Sequence, residues 1–95
     1  MVFDLSEING IENYEIKQEK ERTIYQKNDK AFLVVNKNTI EVRCDEKLGN
    51  LLREKYESVM ESRYFGRGGI EIVLASQLSQ TELSDLIRLS YDLTI

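Results

Sequence analysis

Residues 22 to 44 constrain the fold more than any other stretch, because three extended segments stand there between two tight-turn signals. Arg22 to Gln26 holds Thr23, Ile24 and Tyr25, all good strand formers. Lys27-Asn28-Asp29-Lys30 reads as a turn, since Asn and Asp bond to their own backbone and tolerate left-handed conformations. Ala31-Phe32-Leu33-Val34-Val35 is apolar on both faces, as a central strand is. Asn36-Lys37-Asn38 makes a second turn. Ile40, Val42 and Cys44 then alternate with Glu41 and Arg43, which predicts a strand with one wet face. Turns this short join antiparallel neighbours, so the segment predicts a three-stranded meander.

A meander needs cover for its apolar face, and the flanking segments offer it. Tyr14 to Gln18 has extended character and adds a strand. Asp4 to Asn9 suits one or two helical turns stopped by Gly10, although so short a helix needs tertiary contacts to persist. Asp45 is placed as a helix N-cap, with Glu46 facing the positive end of the helix dipole. Leu48, Leu51, Leu52, Tyr56 and Val59 fall at helical spacing and predict one buried stripe, in a helix that fades over Ser58 to Ser62. Residues 63 to 69 predict a glycine-rich loop. Ile70, Ile72 and Leu74 alternate with Glu71 and Val73, another strand. Ser79-Gln80-Thr81-Glu82 fits a capping box, followed by an inner stripe of Leu83, Leu86, Ile87, Ser90 and Leu93. The sum is an α+β two-layer sandwich: an antiparallel sheet of about four to five strands with helices packed on one face.

Composition bounds the setting. A chain of 95 residues without proline or linker-like composition predicts a single domain over residues 1–95. With 41% hydrophobic and 32% charged residues it reads as globular rather than disordered. The longest apolar run, Ala31 to Val35, is far short of the roughly 20 residues a helix needs to cross a bilayer. The start, Met1-Val2-Phe3-Asp4-Leu5-Ser6-Glu7, lacks the basic stretch and apolar core of a secretory signal. Cys44 is the sole cysteine, so no internal disulfide can form. These features predict a cytoplasmic protein without membrane partners.

The inventory argues against common chemistries. There is no histidine, which removes the commonest general base and metal ligand and any Ser-His or Cys-His nucleophile pair. No acid spacing suggests a metal site, and no cofactor is expected. Cys44 ends an alternating strand before a helix start. It is either a thiolate stabilised by the helix dipole or a small inward core residue, and alternation favours the core. Gly66, Gly68 and Gly69 follow a helix and precede a strand, the reverse of a phosphate loop, so a bulge or tight turn is expected. An enzyme working through carboxylates and tyrosines would need a buried acid pair, which no spacing announces, and the expectation is no enzyme.

Binding residues remain. Arg63, Tyr64, Phe65 and Arg67 interleave bases with aromatics, as a nucleobase-stacking loop does. The same loop could plug the core edge with Tyr64 or Phe65 while its arginines pair with Glu57, Glu61 or Glu71. Lys27 and Lys30 flank one hairpin turn and Lys37 sits in the next, placed to touch phosphates if the tips face a duplex. The net charge of −4 has the opposite sign to that of a typical nucleic-acid binder.

Val42-Arg43-Cys44-Asp45-Glu46, followed by Leu48, Leu52-Arg53-Glu54 and Tyr56, resembles a block of the MmcQ/YjbR family. The ending Glu82-Leu83, Leu86-Ile87, Ser90-Tyr91 and Leu93 resembles that family's terminal helix. The likeness covers about residues 30 to 95. Many members carry a His-x-Asn-Lys-x-His-Trp type segment before the last strand, where this chain has Arg63-Tyr64-Phe65-Gly66-Arg67-Gly68-Gly69. The resemblance implies a compact α/β sandwich similar to secretion chaperones, and DNA binding through a double-wing arrangement. Lys27, Lys30, Lys37, Arg63, Tyr64 and Arg67 are then the candidate DNA contacts. The alternative is a protein-interaction or adaptor module that offers its sheet face or edge to another protein.

Overall fold

A computed structural model describes residues 5, 8, 10–74 and 78–94. Its centre is the expected meander. Strands β1 (Glu15–Gln18), β2 (Thr23–Lys27), β3 (Lys30–Val35) and β4 (Thr39–Arg43) run antiparallel in chain order. The turn between β2 and β3 is only Asn28-Asp29, both with positive φ (52° and 66°). That is the backbone a two-residue hairpin turn demands, and these residue types accept it. The sheet is larger than the sequence suggested. Helix α1 (Glu46–Lys55) is followed by β5 (Val59–Ser62) and β6 (Gly66–Val73) before α2 (Gln80–Leu93). Among the described residues the sheet has six strands in the order β1-β2-β3-β4-β6-β5, against the four to five expected. The expected turn over residues 4–9 lies mostly outside the described residues, though its Leu5 is buried.

Val59 lies at helical spacing from Tyr56, but α1 stops at Lys55 and Val59 opens a strand beside β6. A short apolar run satisfies both periods, and here sheet pairing decides. Leu51, assigned to the buried stripe, is 57% exposed. Gly49 faces the sheet instead, where an added Cβ would lie 3.3 Å from Cys44 Sγ. In α2, Leu83, Ile87, Ser90 and Tyr91 are buried, whereas Leu93 is 51% exposed. Both helix starts match their signals: Asp45 accepts from the Leu48 amide, and Ser79 and Glu82 close a reciprocal capping box.

Both helices cover one face, over Leu33, Val35, Ile40, Val42, Ile70 and Ile72. A bulge in β3 feeds this core. Tyr25 pairs with Leu33 but Gln26 pairs with Ala31, leaving Phe32 as the extra residue. Phe32 and Leu33 both join the helix-side cluster, while Ala31 and Val34 join Ile24 on the other face. Beyond the bulge the β3–β4 register ends at Leu33 and Val42. Ser90 of α2 satisfies the backbone groups freed there. Its hydroxyl donates to the Phe32 carbonyl at 2.5 Å and accepts from the Arg43 amide at 2.7 Å.

Candidate functional site

On β4 the face away from the helices was expected to be wet. It is largely covered. Glu41 on β4 and Glu71 on β6 are direct cross-strand partners, and each is only 2% exposed. The cover is the tip of the β5–β6 hairpin, residues 63–65, which folds back over the sheet. Phe65 packs against Ile24, Ala31 and Val34, with the Arg43 guanidinium 4.9 Å from its ring centre. Expected as one loop over 63–69, the segment is a three-residue turn followed at once by β6. Its glycines serve close packing. A Cβ on Gly69 would sit 2.6 Å from Phe65 Cβ and 2.6 Å from the Val42 carbonyl oxygen. Gly66 takes the left-handed backbone at φ +63° where the tip re-enters the strand.

The two buried acids latch this tip. Glu41 Oε1 accepts from the Ser62 hydroxyl at 2.8 Å and from the Tyr64 amide at 2.9 Å, and Oε2 accepts from Asn36 Nδ2 at 2.9 Å. Glu71 accepts two bonds from the Arg63 guanidinium, at 2.9 and 2.7 Å, and one from Thr39 at 2.8 Å. Burial alone would raise the Glu71 pKa, but the bonds from Arg63 and Thr39 and the Arg63 charge outweigh it, so the carboxyl lies below its ordinary range. A general acid needs the opposite shift. Every carboxyl oxygen of the pair thus accepts a bond, from the hairpin tip at Ser62, Arg63 and Tyr64 and from Asn36 and Thr39 around the β3–β4 turn, and the pair holds the tip in place.

The candidate DNA contacts are dispersed around the sheet. Lys27 donates to the Tyr91 carbonyl at 3.2 Å, near the end of α2, with its ammonium 3.8 Å from the Tyr91 ring centre. Lys30 is exposed at the start of β3. Arg67 is exposed in β6, toward the same end of the sheet, since its neighbour Gly68 accepts from the Cys44 amide just past β4. Lys37 lies in the turn at the opposite end of β3. It lines a cleft of about 850 Å³ with Glu19, Arg22, Glu41 and Arg63, a lining of mixed sign. Arg63 is 75% exposed but spends its fork on Glu71. Tyr64 is 40% exposed, with Phe65 edge-on at 4.9 Å and the Arg22 guanidinium 5.0 Å from its ring centre. Arg63 and Tyr64 therefore belong to the latch, and only Lys30 and Arg67 share an end without an engaged head group.

Cys44 is buried in the helix-side core, with its Sγ beside Gly49. Burial pushes its thiol up, the Asp45 charge adds to this, and Arg53 opposes both. The helix start after it does not produce a thiolate. Among the described residues no three His, Cys, Asp or Glu side chains group as metal ligands, and no helix is long and apolar enough to cross a membrane.

What the sequence did not single out is the sheet's boundary. β1 and β5 are its outermost strands. All four residues of β1 are exposed, and Ile16 at 58% is the most exposed large hydrophobic side chain among the described residues. Met60 on β5 is exposed as well.

No family model matches the chain, and no curated protein matches it. Among solved structures, a crystal structure of a protein from Pseudomonas syringae, a target of the Northeast Structural Genomics Consortium, is similar. It aligns over 86% of this chain and 87% of that chain, with a TM-score of 0.74 and 17% identity. At that identity the likeness shows the fold alone.

Proposed function

We propose that this chain is a non-catalytic, MmcQ/YjbR-like binding module of the cytoplasm that engages other polypeptides through the open edge of its sheet. The observation that carries this reading is β1. It is an edge strand, exposed at every residue, with a β-branched apolar side chain facing solvent. Such a strand offers unpaired N–H and C=O groups that an added strand satisfies. The family part rests on the sequence blocks, which fall at the β4–α1 junction and along α2. The non-catalytic part is supported by the lack of histidine, the raised thiol of Cys44 and the fully bonded acids. A photo-crosslinking residue at position 16, compared with one at exposed Leu51 on α1, tests it in cells. Adducts to polypeptide are expected at 16 and not at 51. Absence of adducts at position 16 overturns the reading.

A second reading, DNA contact, is favoured by one observation: Lys30 and Arg67 are exposed toward one end of the sheet, beside the β2–β3 turn. Two phosphate contacts imply a salt slope near −1.8, at roughly −0.9 per contact. Titration of mixed-sequence duplex at low salt measures it. No binding at tens of micromolar removes this reading.

A further inference from the structure

We infer that the partner of β1 is a second copy of the chain, paired edge to edge in one antiparallel register centred on Ile16. This rests on the edge-binding reading above and names the occupant.

The backbone selects which residues can pair outward. At the end of the β1–β2 hairpin the Glu19 amide donates to the Arg22 carbonyl at 2.9 Å. Bonding alternates along an antiparallel pair, so Lys17 and Glu15 continue the bonds to β2. Ile16 and Gln18 then turn their N–H and C=O groups to the free edge. A two-fold axis perpendicular to the sheet gives both copies the same face, so only residues of one face can stand opposite each other. Ile16 pairs with Tyr25, on the helix side, and Glu15 and Lys17 point to the other side.

Side chains select the register. With Ile16 opposite its own copy, the outward groups of the two isoleucines bond reciprocally and their apolar side chains meet. Glu15 then stands opposite Lys17 of the second copy, and Lys17 opposite Glu15, two complementary pairs from one strand. Tyr14 falls opposite Gln18. Centring on Glu15 or on Lys17 instead sets that residue against itself, like charge on like charge. Centring on Gln18 runs the pairing into the Lys20-Glu21 turn. The sequence Glu15-Ile16-Lys17 is thus complementary to itself in the one register that joins the exposed isoleucines. A contact confined to one strand is small, so the association is weak and concentration-dependent.

Sedimentation equilibrium from about 10 µM to about 1 mM tests this, over the range where small interfaces assemble. The wild-type mass is expected to rise from one chain toward two. Glu15→Lys places Lys against Lys twice, and Lys17→Glu places Glu against Glu twice. Each alone is expected to weaken association by about tenfold or more. An equimolar mixture of the two variants restores both opposite-charge pairs and is expected to associate as the wild type does. Recovery in the mixture also shows that both variants are folded. Single variants that associate normally, or a mixture that does not recover, overturn the inference. A wild type that stays monomeric at about 1 mM overturns it too, yet leaves the edge-binding reading standing if position 16 still crosslinks to other polypeptides.

Discussion

At the scale of single residues, Gly69 shows how a glycine cluster can be mistaken for a ligand loop. Its missing side chain lets Phe65 and the β4 backbone close to distances no Cβ would allow. Gly69→Ala must therefore lift Phe65 off Ile24, Ala31 and Val34. Overpacking of this kind costs about 1–3 kcal/mol, and the upper end applies because one obstacle is backbone. Gly68 is the control. An added Cβ there meets only the Phe65 carbonyl, at an ordinary 3.6 Å. Gly68→Ala is expected to be neutral or stabilising by less than about 1 kcal/mol. Urea unfolding of the two variants distinguishes close packing from a loop that merely needs flexibility, because flexibility predicts similar losses at both. The sequence showed three glycines before a strand and the order ruled out a phosphate loop, but it could not show which glycine lay under an aromatic ring. The pairing of Arg63 with Glu71 and the packing of Phe65 are what the core-plugging reading of this loop expects, whereas the burial of Glu41 departs from expectation for a related reason. Alternation reports which residues share a face, and it assigns the polar face to water unless something later in the chain covers it. Here Arg63 to Phe65 do.

At the scale of elements, what was legible was whatever is encoded locally. Turn residues fixed the β2–β3 hairpin, and the capping box fixed the start of α2. Ser79→Ala removes the acceptor of the Glu82 amide and is expected to cost about 1 kcal/mol in thermal or urea unfolding. The β5–β6 hairpin was illegible because its register depends on bonds between distant residues. Those bonds make it sensitive to acid. The Glu71 carboxyl titrates below its unfolded value of about 4.3, so the folded state binds fewer protons there than the unfolded state. The resulting stabilisation is fully present above the unfolded pKa. It is lost as pH falls from there through the lower folded pKa. Glu71→Gln keeps the shape but not the titration. The variant is expected to be the less stable at pH 7, with the gap closing as pH drops below about 4. Parallel curves for the two proteins from pH 7 to pH 3 would exclude this latch.

At the scale of the whole molecule, the sheet is stabilised unevenly. Its central strands β3, β4 and β6 are flanked on both sides and carry most of the sheet's buried residues, with α2 on β3 and β4 and α1 on β6. β1 lies at the opposite extreme, with exposed residues throughout and, among the described residues, one neighbouring strand. Local opening free energy follows burial and bonding, so amide exchange should form a gradient across the sheet. The amides of Ile40, Val42 and Ile72 are expected to exchange only near the global unfolding rate. Those of Glu15 and Lys17, bonded to β2, should exchange by local fraying. Ile16 and Gln18, turned outward, should exchange almost freely in dilute protein. Raising the concentration then separates two explanations of an open edge. If the edge pairs with its own copy, protection grows at Ile16 and Gln18 first and leaves Ile72 unchanged. If the edge is merely frayed, protection along β1 stays flat with concentration, and the alternation between even and odd residues is the only pattern left.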